Sequence, residues 1–240
     1  MSISKNDLKK FSSLKRKVKR KELGAFIVEG VKNCKELVRS NFQIITILIT
    51  EVDLLIDFPN GTIISENDAS RITQLKSHSS VIAIAKIPKN SILTNLDKPI
   101  LFLENIKDPG NLGTIIRTLD WFGYSQLFCS LNCVDAFNSK TVMASMGSVF
   151  RINIHYLNFL DLFEKFPNYL TYGTFLEGDS IYKSKIGNKS IIVMGNESVG
   201  ISKEIASLIK KKISIPGKGN AESLNVSTAS AIILSEINKS

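Results

Sequence analysis

Three polar turns contain the residue types in this chain that could do chemistry. Each turn includes glycine and follows an apolar segment typical of a β-strand; the turns are residues 111–117 (NLGTIIR), 195–200 (GNESVG) and 215–226 (IPGKGNAESLNV). In an open parallel sheet, ligands collect beyond the carboxyl ends of the strands, where helix N-termini offer unpaired amides. We therefore predict that the three turns form one ligand-binding site.

The first turn places a positive charge beside a glycine. Arg117 lies at i+4 from Gly113 on a predicted helix, the spacing at which helical side chains meet, so the glycine leaves room beside the guanidinium. Asn111 faces the same ligand in this interpretation. The structural alternative makes Asn111 a helix N-cap and Arg117 a surface charge.

The second turn contains a carboxylate between two glycines. Glu197 lies between Gly195 and Gly200, directly after the apolar run 191–194. The helix that follows is predicted to begin at Ser202, a good N-cap residue, so Glu197 is not needed as the cap. Glu197 either orients a ligand or is solvated.

The third turn leads into an apolar helix. Ser223 is the predicted N-cap of a helix whose buried stripe is Val226, Ala229, Ile233 and Ile237. Asn225 then lies in the first turn of that helix. Its amide is available to a ligand in one interpretation and makes a local backbone hydrogen bond in the other.

Several familiar sites are not indicated. The chain has neither the phosphate-loop pattern nor the dinucleotide pattern of glycines, which removes the main support for kinase and dinucleotide-binding functions. It has three cysteines, none in a Cys-x-x-Cys pair, and two histidines. This composition argues against a zinc site or a disulfide framework, and we expect no metal.

The elements that must position the turns alternate between helix and strand. In the N-terminal part we predict helices at 30–40 and 69–77 and strands at 44–50 and 82–87; in the C-terminal part we predict strands at 100–103, 126–129, 171–175, 191–194 and 213–215. Helical segments between the later strands indicate an α/β fold with a parallel sheet. Turn formers near 90–97 predict a domain boundary, which gives a small α/β domain over 1–95 and a larger domain over 96–240.

The net charge favours a polyanionic partner. Lys and Arg number 31 against 22 Asp and Glu, which leaves a charge of +9, and RNA is a better candidate than a membrane surface. We predict sequence-independent RNA-phosphate contacts, with a solvated helix face as the alternative. The candidate RNA-binding residues are Lys15, Arg16, Lys17, Lys19, Arg20 and Lys140.

The apolar runs are too short to span a bilayer. The run at 44–49 is one of the longest, and the polar N-terminus has no signal-peptide core. A reduced, cytoplasmic setting is therefore expected, without a membrane partner.

The three turns closely resemble the motifs of the SpoU, or TrmH-like, branch of the SPOUT RNA methyltransferases. The resemblance covers about residues 98–238, and residues 26–30 (FIVEG) resemble the family's N-terminal RNA-binding domain more weakly. It implies methyl transfer from S-adenosylmethionine to a ribose 2′-hydroxyl of RNA, a C-terminal trefoil knot in the α/β domain, and a homodimer. Ribosomal RNA is favoured over transfer RNA as the substrate.

The resemblance also implies roles for individual residues. The cofactor-binding positions are Gly195, Asn196, Ile215, Ser223 and Leu224, and the catalytic positions are Asn111, Arg117, Glu197, Ser223 and Asn225. Arg117 removes the hydroxyl proton in one account. In the other it holds an RNA phosphate or stabilises developing negative charge, because a guanidinium remains protonated at ordinary pH.

One segment departs from the family pattern. Relatives often have proline where Ser139 lies and arginine where Met143 lies. Loss of that arginine weakens an RNA contact or alters substrate choice, and it motivates an alternative function as a non-catalytic RNA-binding or ribosome-assembly factor. Ser145 is predicted to be structural, because its surroundings do not form a nucleophile elbow.

Overall fold

The computed structural model describes residues 3–75, 79–89, 91–196 and 198–239. The helices are α1 (Lys5–Ser13), α2 (Lys17–Leu23), α3 (Val31–Val38), α4 (Glu66–Ile72), α5 (Pro109–Trp121), α6 (Ser139–Ser145), α7 (Phe159–Lys165), α8 (Lys203–Ala206) and α9 (Val226–Ile237). The strands are β1 (Ala25–Glu29), β2 (Ile44–Ile49), β3 (Thr62–Ile63), β4 (Val81–Lys86), β5 (Ile100–Leu103), β6 (Gln126–Cys129), β7 (Asn153–Tyr156), β8 (Leu170–Ser180), β9 (Ser190–Met194) and β10 (Lys211–Ser214). Within the described ranges, no helix has both the length and the apolar character needed to cross a membrane.

The chain forms two compact units. The first contains Met1–Lys89 and Asp135–Arg151, and the second contains Asn90–Val134 and Ile152–Ser240. The segment 135–151 therefore packs with the N-terminal part of the chain, and the two units are not divided at a single chain position.

The first unit is built on a four-stranded sheet of order β1-β4-β2-β3. β4 runs antiparallel to both β1 and β2, and β2 is parallel to β3. The predicted strands at 44–50 and 82–87 are confirmed as β2 and β4. β4 is buried along almost its whole length, whereas β2 is buried only in its C-terminal half. One core cluster joins this sheet to helices α1 and α4; it contains Leu8, Phe11, Leu14, Ala25, Ile27, Leu48, Ile64, Ala69, Ile72, Ile82 and Ile84.

The helices α3 and α4 of the first unit were both predicted, and a capping residue sets where α4 begins. The predicted helix at 30–40 is confirmed as α3. The prediction of a helix at 69–77 was wrong in its bounds, because the Ser65 hydroxyl accepts a hydrogen bond from the Asp68 amide at 3.1 Å and starts α4 at Glu66. α4 ends at Ile72, after which Thr73 leaves the helical conformation.

Aromatic rings hold the segment 135–151 within the first unit. The ring centroids of Phe26 and Phe137 are 4.6 Å apart, and those of Phe42 and Phe150 are 5.4 Å apart. An ion pair fixes each end of the segment: Asp135 pairs with Arg20, and Arg151 pairs with Glu36. The segment is therefore an integral part of this unit's packing.

The second unit contains a six-stranded sheet of order β10-β8-β9-β5-β6-β7, in which every pairing is parallel. This confirms the predicted parallel sheet, and all five strands predicted for this region are present. β7 was not predicted, because Asn153, His155 and Tyr156 interrupt the apolar run on this edge strand. β5 lies between β9 and β6, so the strand order reverses here, as it does where open parallel sheets bind ligands.

A buried core supports one face of this sheet. Phe102 on β5 and Phe159 on α7 meet edge to face with centroids 5.0 Å apart. The cluster around them contains Ile100, Phe128, Leu162, Phe166, Ile191, Val193, Ile201 and Ile205. At their carboxyl ends, β5 and β9 pair with Phe102 opposite Val193 and Leu103 opposite Met194.

Candidate active site

Residues 111–117, predicted as the first turn, lie inside helix α5 (Pro109–Trp121), so the prediction of a turn at these residues was wrong; the name first turn is kept for them, and the helix begins with an aspartate cap. The Asp108 carboxylate accepts a hydrogen bond from the Asn111 amide at 2.8 Å, and Pro109 opens the helix. Asp108, rather than Asn111, is therefore the N-cap. The capping alternative for the Asn111 side chain is excluded.

Arg117 lies one turn beyond the buried Gly113. α5 buries Leu112, Ile115, Ile116 and Leu119, so the opposite face of the helix, which includes Arg117, is exposed. In the described ranges, no hydrogen bond or ion pair joins the guanidinium to another side chain. The first turn thus presents a positive charge to solvent.

The third turn meets the first through two asparagines. The Asn225 amide nitrogen Nδ2 donates a hydrogen bond to Asn111 Oδ1 at 3.0 Å. The structure therefore brings together two side chains that lie 114 residues apart in sequence. We refer to Asn111 and Asn225 as the asparagine pair.

Asn225 also starts helix α9. Its Oδ1 accepts hydrogen bonds from the Ser227 amide at 2.9 Å and from the Ser227 hydroxyl at 2.6 Å. The prediction that Ser223 caps this helix was wrong, because α9 begins at Val226 and Asn225 is its N-cap. Ser223 and Leu224 remain exposed in the loop that precedes the cap.

The second turn closes on itself around a glycine. A Cβ atom on Gly195 would lie 2.4 Å from the Gly200 carbonyl carbon and 2.5 Å from the Ile201 nitrogen, so a larger residue cannot be accommodated without movement of the backbone. Asn196 and Gly200 exchange backbone hydrogen bonds at 3.2 and 2.8 Å. Asn196 Oδ1 accepts from the Ser198 amide at 2.9 Å, which tightens the turn further. Glu197 lies outside the described residues.

Two residues that the sequence did not single out tie this turn to β5. Asn105 adopts a φ of 57°, and its carbonyl accepts a hydrogen bond from Asn196 Nδ2 at 3.0 Å. Glu104 is buried, and its carboxylate accepts from the Ser202 amide at 2.9 Å. An acidic residue directly after a buried strand was the available sequence signal for Glu104.

A buried thiol supports the approach to α5. The Ile106 amide donates to Cys133 Sγ at 3.3 Å, and Cys133 Sγ donates to the Leu103 carbonyl at the same distance. A hydrogen bond from Cys129 is the main cause that lowers the pKa of the Cys133 thiol to about 7. Cys133 therefore positions the backbone between β5 and the Asp108 cap.

A cavity of about 440 Å³ opens beyond the ends of β5 and β6. Glu104, Asn105 and Ser202 contribute to its wall, and Phe159 and Ile205 form apolar parts of it. The cofactor positions Gly195, Asn196, Ile215, Ser223 and Leu224 are not among its described lining residues. The cavity is thus distinct from the loops assigned to the cofactor.

The basic residues of the first unit differ in exposure. Lys15, Arg16, Lys17 and Lys140 are exposed, and Lys19 is half-buried and pairs with Glu22 at 2.6 Å. Among the described side chains, no group of three or more His, Cys, Asp or Glu is arranged to hold a metal ion. The exposed lysines and Arg16 suit phosphate contacts.

Arg20 does not fit the predicted RNA contact. Its side chain is only 3% exposed, and Nε and Nη2 approach Asp135 Oδ2 at 2.8 and 2.6 Å. Nη1 donates to the carbonyls of Leu14 and Lys15 at 2.9 and 3.0 Å. Its guanidinium therefore fixes the turn between α1 and α2, and it is not available to a phosphate.

The segment that departs from the family pattern is partly buried. The Ser139 hydroxyl donates to Gln74 Oε1 at 3.0 Å, and Met143 is half-buried on α6. The buried Ser145 hydroxyl donates to the Val142 carbonyl at 2.8 Å. This bond is consistent with the structural role predicted for Ser145.

Two protein-family models match this chain. The SpoU rRNA methylase family matches residues 98–235. The MRM3-like substrate binding domain matches residues 5–86. The first match covers all described residues of the three turns.

Individual relatives match over nearly the whole chain. The 23S rRNA (guanosine(2553)-2′-O)-methyltransferase RlmP of Bacillus subtilis is 28% identical, with 97% of this chain and 96% of RlmP covered. The structure of a putative RNA methyltransferase of the TrmH family from Porphyromonas gingivalis is 31% identical with a TM-score of 0.87, and 98% of each chain is covered. An AdoMet-bound rRNA methyltransferase from Sinorhizobium meliloti is 28% identical with a TM-score of 0.86, over 99% of this chain and 97% of that one.

Proposed function

Because this chain belongs to the SpoU rRNA methylase family and is an S-adenosylmethionine-dependent RNA 2′-O-ribose methyltransferase, we propose that the asparagine pair lies at its reacting centre. The observation that carries this proposal is the hydrogen bond from Asn225 Nδ2 to Asn111 Oδ1. This hydrogen bond joins the first and third turns, which are far apart in sequence. The reacting groups are then expected between these turns and the closed loop at Gly195.

The loops 195–200 and 215–225 are the proposed cofactor site, and we place them in a C-terminal trefoil knot. Their composition fits an adenosyl group, because Asn196 and Ser223 offer polar groups and Leu224, which is 46% exposed, and the half-buried Ile215 offer apolar surface. Because Gly195 has no side chain, its backbone can lie close to the backbone of Gly200 and Ile201, which shapes the loop 195–200. When bound, S-adenosylmethionine supplies an electrophilic methyl group.

Arg117 is the proposed electrostatic group for this transfer. A guanidinium group is a donor without acceptor capacity and therefore a poor base. On the exposed face of α5 it can stabilise the negative charge that develops on the ribose oxygen. Helix α5 fixes the backbone of Arg117, so the side chain extends from a defined position on the helix.

The remaining catalytic positions are proposed to orient the substrate. Asn225 is fixed by its cap to α9 and in turn orients the Asn111 amide. Ser223 lies two residues before this cap and is exposed to solvent in the loop 215–225. Glu197 is assigned a role in ordering the second turn on the basis of its place between Gly195 and Gly200.

Ribosomal RNA is the proposed substrate, and we assign it a guanosine ribose of 23S ribosomal RNA. The name of the full-length relative from Bacillus subtilis supports this assignment. Residues 1–95 are the proposed substrate-binding domain and residues 96–240 the methyltransferase domain. The matches of the two family models to residues 5–86 and 98–235 support this division. Phosphate contacts are assigned to Lys15, Arg16, Lys17, Lys19 and Lys140.

We also propose that the enzyme is a cytoplasmic homodimer. Trp121 is 85% exposed and lies one turn beyond Arg117 on α5. Tryptophan is enriched at protein interfaces because it buries a large rigid surface. Trp121→Glu should convert the dimer to a monomer by sedimentation and reduce activity; a wild-type protein that is monomeric while active would contradict the dimer.

The substrate is tested by mapping ribose methylation across total RNA from cells with and without this protein. We expect one 23S ribosomal RNA site to lose its methyl group. Loss of a transfer RNA site instead would support the transfer RNA alternative. Unchanged methylation, together with no heat in calorimetry with S-adenosylmethionine, would support a non-catalytic RNA-binding factor.

A further inference from the structure

The cavity beyond the ends of β5 and β6 has the size and the apolar surface of a small-ligand site. Its volume is about 440 Å³, and its described lining residues all belong to the second unit. Ligand pockets usually have volumes of about 300–1,000 Å³ and combine apolar walls with a few polar groups. Leu131 and Leu160 line this cavity although they are 54% and 45% exposed. A flat ring bound in the cavity would cover these exposed leucines.

Glu104 offers an unpaired oxygen to this cavity. The residue is only 5% exposed, and its Oε2 accepts the hydrogen bond from the Ser202 amide at 2.9 Å. Its Oε1 accepts no hydrogen bond from the described residues, yet this atom is not fully enclosed. A ligand in the cavity that Glu104 lines can therefore reach Oε1. Because buried polar atoms are almost always paired, this oxygen calls for a hydrogen-bond donor from a ligand.

The charge of the cavity excludes a phosphate as that ligand. Asp161 and Glu204 line the cavity together with Glu104, and its described lining contains no lysine, arginine or histidine. Like charges repel, so these three carboxylates oppose an anion. Among the described side chains, no group of three or more His, Cys, Asp or Glu is placed to hold a metal ion. An organic group with N–H donors is the ligand that fits.

Asn105 and Asn132 add amide groups to the same cavity. Both residues line it, and neither side chain makes a hydrogen bond within the described part of the chain. A side-chain amide donates through Nδ2 and accepts through Oδ1. The cavity therefore combines a carboxylate, which needs donors from the ligand, with amides whose donors need acceptors.

We propose that this cavity binds a guanine base of the RNA substrate, turned out of its stack. Guanine presents N1–H and N2–H₂ as adjacent donors to the Glu104 carboxylate, and O6 and N7 as acceptors to the amides of Asn105 and Asn132. Adenine has an acceptor at N1 and no amino group at C2, so it cannot satisfy Glu104 in this way. The inference rests on the proposed methylation of a guanosine ribose, and it names the residues that recognise the base.

The test compares binding of guanosine, inosine and adenosine to the full chain by ligand-observed NMR titration. Inosine lacks the 2-amino group and should bind about three- to thirtyfold more weakly than guanosine, and adenosine at least about tenfold more weakly. Glu104→Gln keeps an oxygen for the Ser202 amide but turns an NH₂ group toward the base, so guanosine affinity should fall about ten- to a hundredfold. The matched control is Glu164→Gln, an exposed carboxylate on α7 outside the described lining, which should behave as wild type.

A second variant separates base recognition from a structural role of Glu104. Leu131→Ser alters an exposed side chain, so the thermal midpoint should not change, whereas guanosine affinity should fall about two- to fivefold through lost apolar contact. Affinity for S-adenosylmethionine should be unchanged in both variants. Equal binding of guanosine and adenosine by wild type, or wild-type guanosine affinity in either folded variant, would overturn the assignment of the cavity.

Methyl transfer to RNA, measured on the same preparations, distinguishes failure of this site from failure of the proposed function. A wild-type protein that methylates RNA but does not bind guanosine would overturn the cavity assignment alone. A wild-type protein that neither binds S-adenosylmethionine nor transfers a methyl group would overturn the proposed function. The cavity would then still be decided by the comparison of guanosine binding between wild type and Glu104→Gln.

Discussion

Asn225 has two duties that substitution can separate. It caps α9 through Oδ1, and it orients Asn111 through Nδ2. Asn225→Ala loses both, and we expect the free energy of unfolding to fall by about 1–2 kcal/mol, from about 1 kcal/mol for the cap and up to about 1 for the exposed side-chain hydrogen bond. Asn225→Asp keeps the cap and gains from the helix dipole, so its stability should lie within about 0.5 kcal/mol of wild type.

Methyltransferase activity should depend on the hydrogen bond to Asn111 and not on the capping of α9. Aspartate has no amide donor, and its carboxylate would face Asn111 Oδ1. We expect both variants to lose about ten- to a hundredfold in kcat/KM for RNA methylation, the effect of a misplaced reacting group. Asn225→Asp should therefore be stable and inactive.

Unfolding by urea and methyl transfer from labelled S-adenosylmethionine measure the two quantities on the same preparations. Asn158→Ala is the matched control, because Asn158 lies at the N-cap of α7 without a side-chain cap hydrogen bond. Combining Asn111→Ala with Asn225→Ala should cost less activity than the sum of the single losses, since the two residues act as a pair. Wild-type activity in Asn225→Asp would refute a role beyond capping.

Three further results are expected elsewhere in the molecule. Gly195→Ala should abolish S-adenosylmethionine binding in calorimetry and cost about 1–3 kcal/mol of stability, because its Cβ would lie 2.4 Å from the Gly200 backbone; wild-type affinity would contradict this. Arg20→Leu should lower the free energy of unfolding by about 3–5 kcal/mol, because it leaves the mostly buried Asp135 unpaired; a loss below about 1 kcal/mol in urea would show that the pair is dispensable. Burial lowers the pKa of His155 below its ordinary 6.5, so the unfolded state takes up more protons and stability falls as pH drops below that value; His155→Phe should flatten this dependence in pH-resolved thermal unfolding, and an unchanged slope would exclude His155 as its source.

The parallel sheet was predictable because its strands are buried apolar runs. Strands such as β5 and β9 lie in the middle of the sheet and contain almost no polar residue, so the hydrophobic pattern alone reveals them. β7 lies at the edge, where polar residues are tolerated. Its pattern therefore carries no comparable signal.

The site residues were predictable as types, and their partners were not. Ser223 and Asn225 are both good N-cap residues, so the sequence near the helix start does not show which one caps α9. In the structure the cap is Asn225, which also donates a long-range hydrogen bond to Asn111. Arg20 was taken for a surface charge because its partner, Asp135, lies 115 residues away. Contacts made across the fold decided both cases.

The central claim is that this chain methylates a ribose 2′-hydroxyl with Arg117 as the electrostatic group. The most direct measurement is methyl transfer from labelled S-adenosylmethionine to a 23S ribosomal RNA transcript by wild type and Arg117→Ala, with cofactor affinity measured in parallel. We predict one methylated ribose with wild type, and a loss of about a hundred- to a thousandfold in kcat with Arg117→Ala at unchanged cofactor affinity. Equal turnover by the two proteins would contradict the role of Arg117, and no transfer by wild type would contradict the methylation of this RNA.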